Sequence, residues 1–395
     1  MLDIFIAAHI SRVEILKIVY MAVRVGMCRR HDAMQDESLH VQITWRAMIT
    51  TLITPTDPDW NDLLARCRHD VYHKPGWTIT SQIGEGGTGF GVHAHDGDAD
   101  LFVPLLRREL GNGDWDASSP YGYAGPVCSD GASQAFLDAA FQSMVDTLRS
   151  KGCISWFMRL HPLLNADWQI ASGLTVDHGP TISIDLTLSE ETLWQNLRPA
   201  HRRAIRKACE QGMTVSVDTH REHMDAFIDV YHSDMRRLGA SSYYLFGRDY
   251  FDSLFSTLPG HALLMIAKHQ GELAGGVIFT LAPSSGIMQY HLSTTHANHR
   301  ALQPAKLIVH TAALWGKHAG YRQLHLGGGI GAAEDSLFLF KRGFSHDMRR
   351  FRSQRVLVDH QKYRRLSGLC NGAKLELDGF FPAYRKLPRP ESIDR

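Results

Sequence analysis

Three β-rich runs between residues 262 and 294 restrict the fold of this chain more than any other feature. They are Ala262–His269, Glu272–Ala282 and Ile287–Thr294, and only short turns at Gln270-Gly271 and Ser284–Gly286 separate them. Turns of this length join antiparallel neighbours, because a parallel connection needs a crossover of about a dozen residues or more. We therefore predict a three-stranded meander in a mostly antiparallel sheet.

Further elements extend the pattern on both sides of the meander. Upstream we predict a half-buried strand at Thr181–Leu188 and a helical segment at Glu190–Gln211, in which Pro199 marks a kink or a restart. We also predict helices at Arg221–Leu238 and Asp249–Leu258 and a strand at Met213–Asp218. Downstream we predict a helix at Pro304–His318, a strand at Gln323–Leu326, a short helix, and a closing antiparallel pair of His346–Arg352 with Gln354–Asp359. The second half is therefore predicted to be an α/β unit.

The first half contains a shortened version of this order. We predict strands at Ile49–Thr54, Gly89–His95, Leu101–Arg107 and Cys153–Met158, and helices at Asp59–Arg68 and Gly131–Ser150. The repeated order of elements predicts two related domains, with a join near Gly173–Gly179.

Composition excludes several classes of protein. The 395 residues are 44% hydrophobic and 21% charged, which is typical of a soluble globular protein. A net charge of +1 provides no global field for binding DNA. The six cysteines form no CxxC pair and the 23 histidines form no HExxH motif. We therefore expect no metal site, no disulfide framework and a reducing compartment.

The first 48 residues differ from the rest of the chain. Ile4–Val25 is apolar, but Arg12, Glu14 and Lys17 divide it into runs much shorter than the roughly 20 residues of a membrane span. No long apolar run precedes a small-residue cleavage site. We expect an extension, either an amphipathic helix or a segment before the true start. We also expect a cytoplasmic protein with at most peripheral membrane contact.

The stretch HLGGGIGAAEDSLFLFKRGFS, residues 325–345, contains a candidate site. A predicted strand runs into three glycines, which are Gly327, Gly328 and Gly329. Asp335 is placed to cap a short helix that contains Lys341. Because glycine lets a ligand or a second backbone approach closely, this loop could hold an anionic or carbonyl-bearing group, although plain turns also use glycine.

A row of basic residues is a second candidate. Arg198, Arg202 and Arg206 lie four residues apart and share one helix face, which Arg203 and Lys207 widen. Guanidinium groups bind phosphate through paired hydrogen bonds. The row is either a phosphate site, for a nucleotide-linked precursor, a lipid pyrophosphate or a tRNA end, or a solvated basic face.

Aromatic residues supply further candidates. Tyr121 and Tyr123 lie in the loop YGYAGP, where they could stack against sugars or peptides or only fill a gap between domains. Tyr290 and His291 are neighbours on the third strand of the meander, so their side chains point to opposite faces. For His291 the alternative is a core histidine bonded to a neighbour.

Three of these stretches resemble the Fem-type peptidoglycan aminoacyltransferases, which belong to the GNAT acyltransferase superfamily. The first along the chain is YGYAGP. The second combines Ile184-Asp185-Leu186 with Trp194 and RRAIRKACEQG, and the third combines HLGGG with DSLFLFKRGF. The three stretches follow one another in the same order as in the family. The resemblance implies an α/β fold of tandem GNAT-like domains, at residues 49–175 and 176–360. It also implies that the tail, residues 361–395, packs on the first domain.

The resemblance also implies roles for single residues. Amide formation passes through a tetrahedral oxyanion, which a fixed positive charge stabilises. Lys341 matches the lysine of the family's FKxGF motif, so we expect it near the reacting groups. Asp335 would be a base for the incoming ammonium or only a cap, and Tyr290 or His291 would face the acyl group. The residues expected to bind substrate are Arg202, Arg203, Arg206, Tyr121, Tyr123, Tyr290, Gly327, Gly328 and Gly329.

One departure from the GNAT pattern concerns the acyl donor. GNAT enzymes that use acetyl-CoA hold its pyrophosphate on a Q/R-x-x-G-x-G/A loop, but Asn298–Lys306 reads NHRALQPAK, without glycine. Fem enzymes also lack this loop and use aminoacyl-tRNA. We expect an acyltransferase without bound cofactor that moves an aminoacyl group from aminoacyl-tRNA to a peptidoglycan precursor peptide. The alternatives are transfer from acyl-CoA or a carrier thioester to a small molecule or exopolysaccharide amine, and a non-catalytic binding protein.

Overall fold

The computed structural model of the protein describes residues 47–369 and 374–386. Its strands are β1 Ile49–Ile53, β2 Thr88–His95, β3 Asp100–Gly111, β4 Asp114–Ser118, β5 Val127–Cys128, β6 Cys153–Leu160, β7 Leu174–Asp185, β8 Thr214–Val217, β9 Ala262–His269, β10 Glu272–Ala282, β11 Ile287–Thr295, β12 Gln323–Gly327 and β13 Asp347–Leu357. Its α-helices are α1 Asp59–Ala65, α2 Pro75–Glu85, α3 Gln134–Ser150, α4 Glu190–Asn196, α5 Pro199–Glu210, α6 Met224–Arg237, α7 Arg248–Thr257, α8 Pro304–His318, α9 Ser336–Lys341 and α10 His360–Leu366. The predicted N-terminal extension lies outside the described residues, apart from its last two.

One continuous sheet contains all the strands of the described residues. Its order is β1-β2-β3-β4-β6-β13-β7-β12-β11-β10-β9-β8, and β5 pairs with β3 beside this path. The β4–β6 and β11–β12 pairs are parallel, and the other pairs are antiparallel. The predicted α/β fold with a mixed, mostly antiparallel sheet is confirmed, and β9, β10 and β11 form the predicted meander.

The strand order repeats from each edge of the sheet toward its centre. In the first half β1, β2, β3 and β4 lead to the parallel partner β6, and in the second half β8, β9, β10 and β11 lead to β12. The strand that follows β6 in the sequence, β7, pairs with β12 of the second half. The strand that follows β12, β13, pairs with β6 of the first half. These two long strands also pair with each other and join the halves into one sheet. The predicted domain join falls in the first part of β7.

The prediction of a closing antiparallel pair after residue 345 was wrong. Asp347–Leu357 is a single strand, and it pairs with β6 on one side and β7 on the other. Ser353 and Gln354 are polar but fully buried, and the Gln354 side chain bonds to Thr175 and to the Ser172 carbonyl. These polar residues interrupt the hydrophobic pattern without interrupting the strand.

Helices cover both faces of the second half of the sheet. Leu193, Ile205 and Ile308 belong to the core on one face, with α4, α5 and α8. Phe227 and Phe251 belong to the core on the other face, with α6 and α7. The first-half helix α2, which the sequence analysis missed, packs against α7 and belongs to this second core. The first half therefore reaches across this face of the second half.

The described part of the tail contacts the first half. Tyr384 Oη lies 2.8 Å from Ser155 Oγ on β6, and Arg385 Nε donates to Asp116 Oδ2 on β4 at 2.5 Å. Within the described residues, no helix is both long enough and apolar enough to cross a bilayer.

Candidate functional site

The candidate site lies where the parallel strands β11 and β12 separate. Ile287–Gln289 pairs with Gln323–His325, and after these residues the two strands no longer pair with each other. Beyond this point, which we call the strand fork, Tyr290 follows on β11 and Gly327 on β12. Gly327 has a φ of 76°, a left-handed conformation that favours glycine and turns the chain away from the sheet.

Lys341 places a positive charge at the strand fork. It is the last residue of α9, its side chain is buried, and its Nζ donates to the Gly328 carbonyl at 2.6 Å. The ammonium also lies 5.6 Å from the centre of the Tyr290 ring. Burial lowers the pKa of Lys341 to about 8. An ammonium has three N–H donors, and Gly328 is its one hydrogen-bond acceptor among the described residues.

Asp335 fixes the start of the helix that carries Lys341. Its carboxylate accepts from the Phe338 amide at 2.9 Å and from the Ile330 amide at 3.0 Å. Burial opposes ionisation of this group, but these backbone hydrogen bonds hold its pKa below the ordinary value. The predicted cap is confirmed, and a role as base for the incoming ammonium stays a prediction.

The three glycines shape the loop around Lys341. A Cβ on Gly327 would lie 3.3 Å from Tyr123 Oη and 3.4 Å from Lys341 Nζ, so both polar groups border this residue. A Cβ on Gly329 would meet the Ala333 carbonyl oxygen at 2.1 Å, which leaves no space for a side chain. The close approach expected at this loop is therefore made by the chain itself, and substrate binding by Gly327, Gly328 and Gly329 stays a prediction.

Tyr290 and His291 have different surroundings, as their alternation predicts. Tyr290 faces Lys341, whereas His291 Nε2 lies 2.9 Å from Tyr250 Oη and its ring packs on Trp77. Burial lowers the pKa of His291 to about 3, so its imidazole is neutral and weakly basic. The structure thus gives Tyr290 the place beside the lysine, and a catalytic role for His291 stays a prediction.

The tyrosines of the YGYAGP loop are first-half residues that lie beside the candidate site. The Tyr123 ring lies 5.2 Å from His325, and its hydroxyl borders Gly327. The Tyr121 ring lies 5.8 Å from His291. Both rings therefore fill the space between the halves, and Tyr123 also borders the strand fork.

The basic row lies on α5, outside this cluster. Arg202 donates to the Gln195 and Leu197 carbonyls, which hold the turn between α4 and α5. Arg206 stacks over Trp194 at 5.3 Å, and Arg203 is exposed. Within the described chain none of the three hydrogen-bonds to Lys341, although His201 on the same helix lies 2.9 Å from the Phe340 carbonyl, and phosphate binding by the row stays a prediction.

The equivalent fork of the first half is closed. Beyond the β4–β6 pairing, Ser119 is fully buried, and Arg159 donates from Nη1 to the Ser119 carbonyl at 2.8 Å. The backbone N–H of Arg159 also donates to Ser119 Oγ at 2.9 Å. These bonds join the ends of the two strands, whereas Lys341 lies at the fork of the second half, where we place the candidate site.

The sequence analysis missed a group of buried polar residues beneath the strand fork. Asp70, His161, Gln289 and His325 are each no more than 1% exposed, yet all are hydrogen-bonded to one another in series. His325 lies within the HLGGG stretch, and a polar residue between two buried leucines on a strand was the available signal. Asp70 and His161 lie in loops that carry no recognisable pattern.

Comparison with known proteins agrees with this geometry. Residues 195–342 match the family model of the acetyltransferase (GNAT) domain. The crystal structure of FemX superposes with a TM-score of 0.61 at 13% identity, over 80% of this chain and 99% of that chain. No curated protein sequence matches the chain.

Two further structures share the fold. The C-terminal domain of a putative lysylphosphatidylglycerol synthetase from Agrobacterium fabrum has a TM-score of 0.51 at 16% identity, over 75% of this chain and 90% of that chain. L-PGS from Bacillus licheniformis has a TM-score of 0.50 at 14% identity, over 76% of this chain and 92% of that chain. Residues 195–342 thus match the GNAT domain, and the chain shares its fold with FemX and with these two structures.

Proposed function

We propose that the protein transfers an aminoacyl group from aminoacyl-tRNA to an amine of a peptidoglycan precursor peptide, in the cytoplasm, where aminoacyl-tRNA is made. The observation that carries this proposal is the buried ammonium of Lys341 at the strand fork. Its burial, with N–H donors for which no described residue is an acceptor, suits a site in which negative charge develops on an oxygen.

The reaction joins the acceptor nitrogen to the carbonyl carbon of the donor ester. The attacking amine must first lose a proton to become neutral, and its attack moves the carbonyl electrons onto oxygen. Lys341 stabilises this oxyanion with charge and a hydrogen bond, since at pH 7 a group with a pKa of about 8 is mostly protonated. Collapse of the intermediate breaks the ester bond, and the second amine proton leaves with the ribose oxygen.

The start of α8 supports a donor other than CoA. A 3₁₀ helix, Ala297–Leu302, directly precedes Gln303, and Pro304 occupies the first turn of α8. Proline has no backbone N–H, so this helix start offers fewer donors to a pyrophosphate than a glycine loop does. The resemblance to Fem enzymes, which use aminoacyl-tRNA, points the same way.

Mass spectrometry of reaction products tests the proposal. The protein is incubated with a muramyl-pentapeptide precursor and either a mixture of aminoacyl-tRNAs or a mixture of acyl-CoAs. Phosphatidylglycerol vesicles replace the precursor in a parallel reaction, because two of the similar structures are named for lysylphosphatidylglycerol. We expect the precursor to gain the mass of one aminoacyl residue with tRNA donors alone. A product with acyl-CoA only, or on the lipid only, would contradict the proposed donor or acceptor.

A further inference from the structure

Five buried polar side chains connect the two halves beneath the strand fork, and we call them the buried polar bridge. They are Asp70, His161, Gln289, His325 and Thr181, each no more than 1% exposed. His161 Nε2 and Gln289 Nε2 both donate to Asp70 Oδ2, at 2.8 and 2.5 Å. His325 Nδ1 donates to Gln289 Oε1 at 2.7 Å, and Thr181 Oγ1 donates to His325 Nε2 at 2.9 Å.

The direction of the first hydrogen bond follows from the backbone. The amides of Leu163 and Leu164 both donate to His161 Nδ1, each at 3.1 Å. That nitrogen must therefore be an acceptor, so His161 is neutral and carries its proton on Nε2. The proton points at Asp70, which as a carboxylate can only accept.

The charge of Asp70 fixes every bond that follows. Because a carboxylate presents only acceptors, Gln289 must turn its NH₂ group toward it and its oxygen toward His325. His325 must then carry its proton on Nδ1 and accept at Nε2 from Thr181. Burial keeps the pKa of His325 well below its ordinary value, in agreement with a neutral ring. One charge from the first half thus orients side chains on β11, β12 and β7.

A buried carboxylate is a costly way to hold a core together. Apolar residues of similar volume often stabilise a fold as well as a buried charged group does, whereas charged groups can select one arrangement over others. Burial opposes the ionisation of Asp70, but the hydrogen bonds from His161, Gln289 and the Val71 amide hold its pKa below the ordinary value. The bridge therefore has the properties of an orienting device.

The end of the bridge lies next to the group that holds Lys341. The pairing of β12 with β7 shifts by one residue between His325 and Gly327, and this bulge turns the chain into the loop. The Gly328 carbonyl then accepts from Lys341 Nζ. The Tyr123 ring contacts His325, and its hydroxyl borders Gly327, which lies directly before Gly328.

We propose that the buried polar bridge positions Lys341 for acyl transfer, with Asp70, Gln289 and His325 acting as positioning residues. The inference rests on the proposed function, because it assumes that the Lys341 ammonium faces the reacting carbonyl. The first half then acts on the reaction through the bridge, without contact between these residues and the substrate.

A pair of glutamine variants separates positioning from a structural role. Gln289→Leu breaks the bridge between Asp70 and His325. Gln354→Leu removes another fully buried glutamine, which bonds on β13 away from Lys341. Because a displacement of about 1 Å can cost about 100-fold in rate, we expect Gln289→Leu to lower kcat by at least tenfold with little change in KM. Gln354→Leu should retain kcat within about twofold. Equal losses in two folded variants would overturn the proposal.

A second measurement does not depend on turnover. In protein labelled with ¹⁵N-lysine, the Lys341 side-chain signal, assigned by its loss in Lys341→Met, reports the pKa of this group. Loss of alignment with the Gly328 carbonyl disfavours the ammonium, so Gln289→Leu should lower this pKa and Gln354→Leu should leave it unchanged. An unchanged pKa in folded Gln289→Leu overturns positioning. Absence of acyl transfer by the wild type, together with the expected pKa change, would count against the proposed function alone.

Asp70→Asn provides a variant of equal size if Gln289→Leu does not fold. The new amide keeps one acceptor oxygen for the three donors from His161, Gln289 and the Val71 amide, so Gln289 should lose its fixed orientation. The pKa of Lys341, measured in the same way, should then fall as in Gln289→Leu. An unchanged pKa in folded Asp70→Asn would overturn the claim that the charge of Asp70 orients the bridge.

Discussion

Replacing Lys341 with methionine should change activity and stability with opposite dependence on pH. The substitution keeps the length of the side chain and removes the charge. Removing one donor to an oxyanion typically lowers turnover by about 10²–10³-fold, or about 3–4 kcal/mol in the barrier. We expect a loss of this size in kcat with little change in substrate affinity, because the interaction forms chiefly in the transition state.

The pKa of Lys341 sets the expected effect on the fold. Burial lowers it from 10.5 to about 8. At about 1.4 kcal/mol per pKa unit, holding the ammonium in the folded protein at pH 7 costs about 3 kcal/mol. Losing the donor to the Gly328 carbonyl costs the mutant about 1–3 kcal/mol. At pH 7 we therefore expect Lys341→Met to be as stable as the wild type, or more stable by up to about 2 kcal/mol.

The sign of the pH dependence is the stricter test. Between pH 8 and pH 10.5 the unfolded chain binds the proton that folded Lys341 has lost, so the stability contributed by this group rises with pH. Activity, which needs the ammonium, falls over the same range. The change in stability is measured by urea unfolding, followed by tryptophan fluorescence. The free energy of unfolding is compared between wild type and Lys341→Met at pH 7 and at pH 10. Lys268→Met, a half-buried lysine on β9, is the control. A folded Lys341→Met with wild-type kcat would refute the proposed role.

Three further predictions concern other residues. Asp335→Ala should remove the cap and lower the free energy of unfolding by about 1 kcal/mol, whereas Asp335→Asn should retain most of this stability. An equal loss of kcat in both variants would instead indicate that Asp335 acts as a base. If the α5 row binds tRNA phosphate, Arg202→Ala with Arg206→Ala should reduce the salt dependence of tRNA binding by about one unit of slope per residue, as filter binding measures, while Arg248→Ala leaves it unchanged. Asp70→Ala should cost about 3 kcal/mol or more at pH 7, since it leaves three buried donors, from His161, Gln289 and the Val71 amide, without an acceptor at about 1–3 kcal/mol each. Because the pKa of Asp70 is lowered by folding, the wild type should lose this contribution as the pH falls through that pKa, and an equal acid-side slope in the variant would argue against it.

Local chemistry explains what could be predicted of the site. Lys341 and Asp335 lie within seven residues of each other, and the cap, the helix and the glycine loop depend on neighbours along the chain. The position of Tyr290 beside Lys341 could be predicted only in part. The alternation of side chains along a strand puts Tyr290 and His291 on opposite faces, but it does not say which of the two faces the lysine. That choice depends on where α9 returns to the sheet.

The sequence by itself determined the elements and the class of sheet. Turns of two or three residues force an antiparallel meander, and periodic apolar residues mark the helices that cover it. The tertiary structure alone decided how the halves join. Whether β13 is one strand or two depends on partners in β6 and β7, and these partners bury Ser353 and Gln354. Asp70 and Gln289 stand 219 residues apart, and a hydrogen bond between them exists only after both halves have folded. No local pattern reports such a bond, because its energy comes from contacts that the unfolded chain does not make.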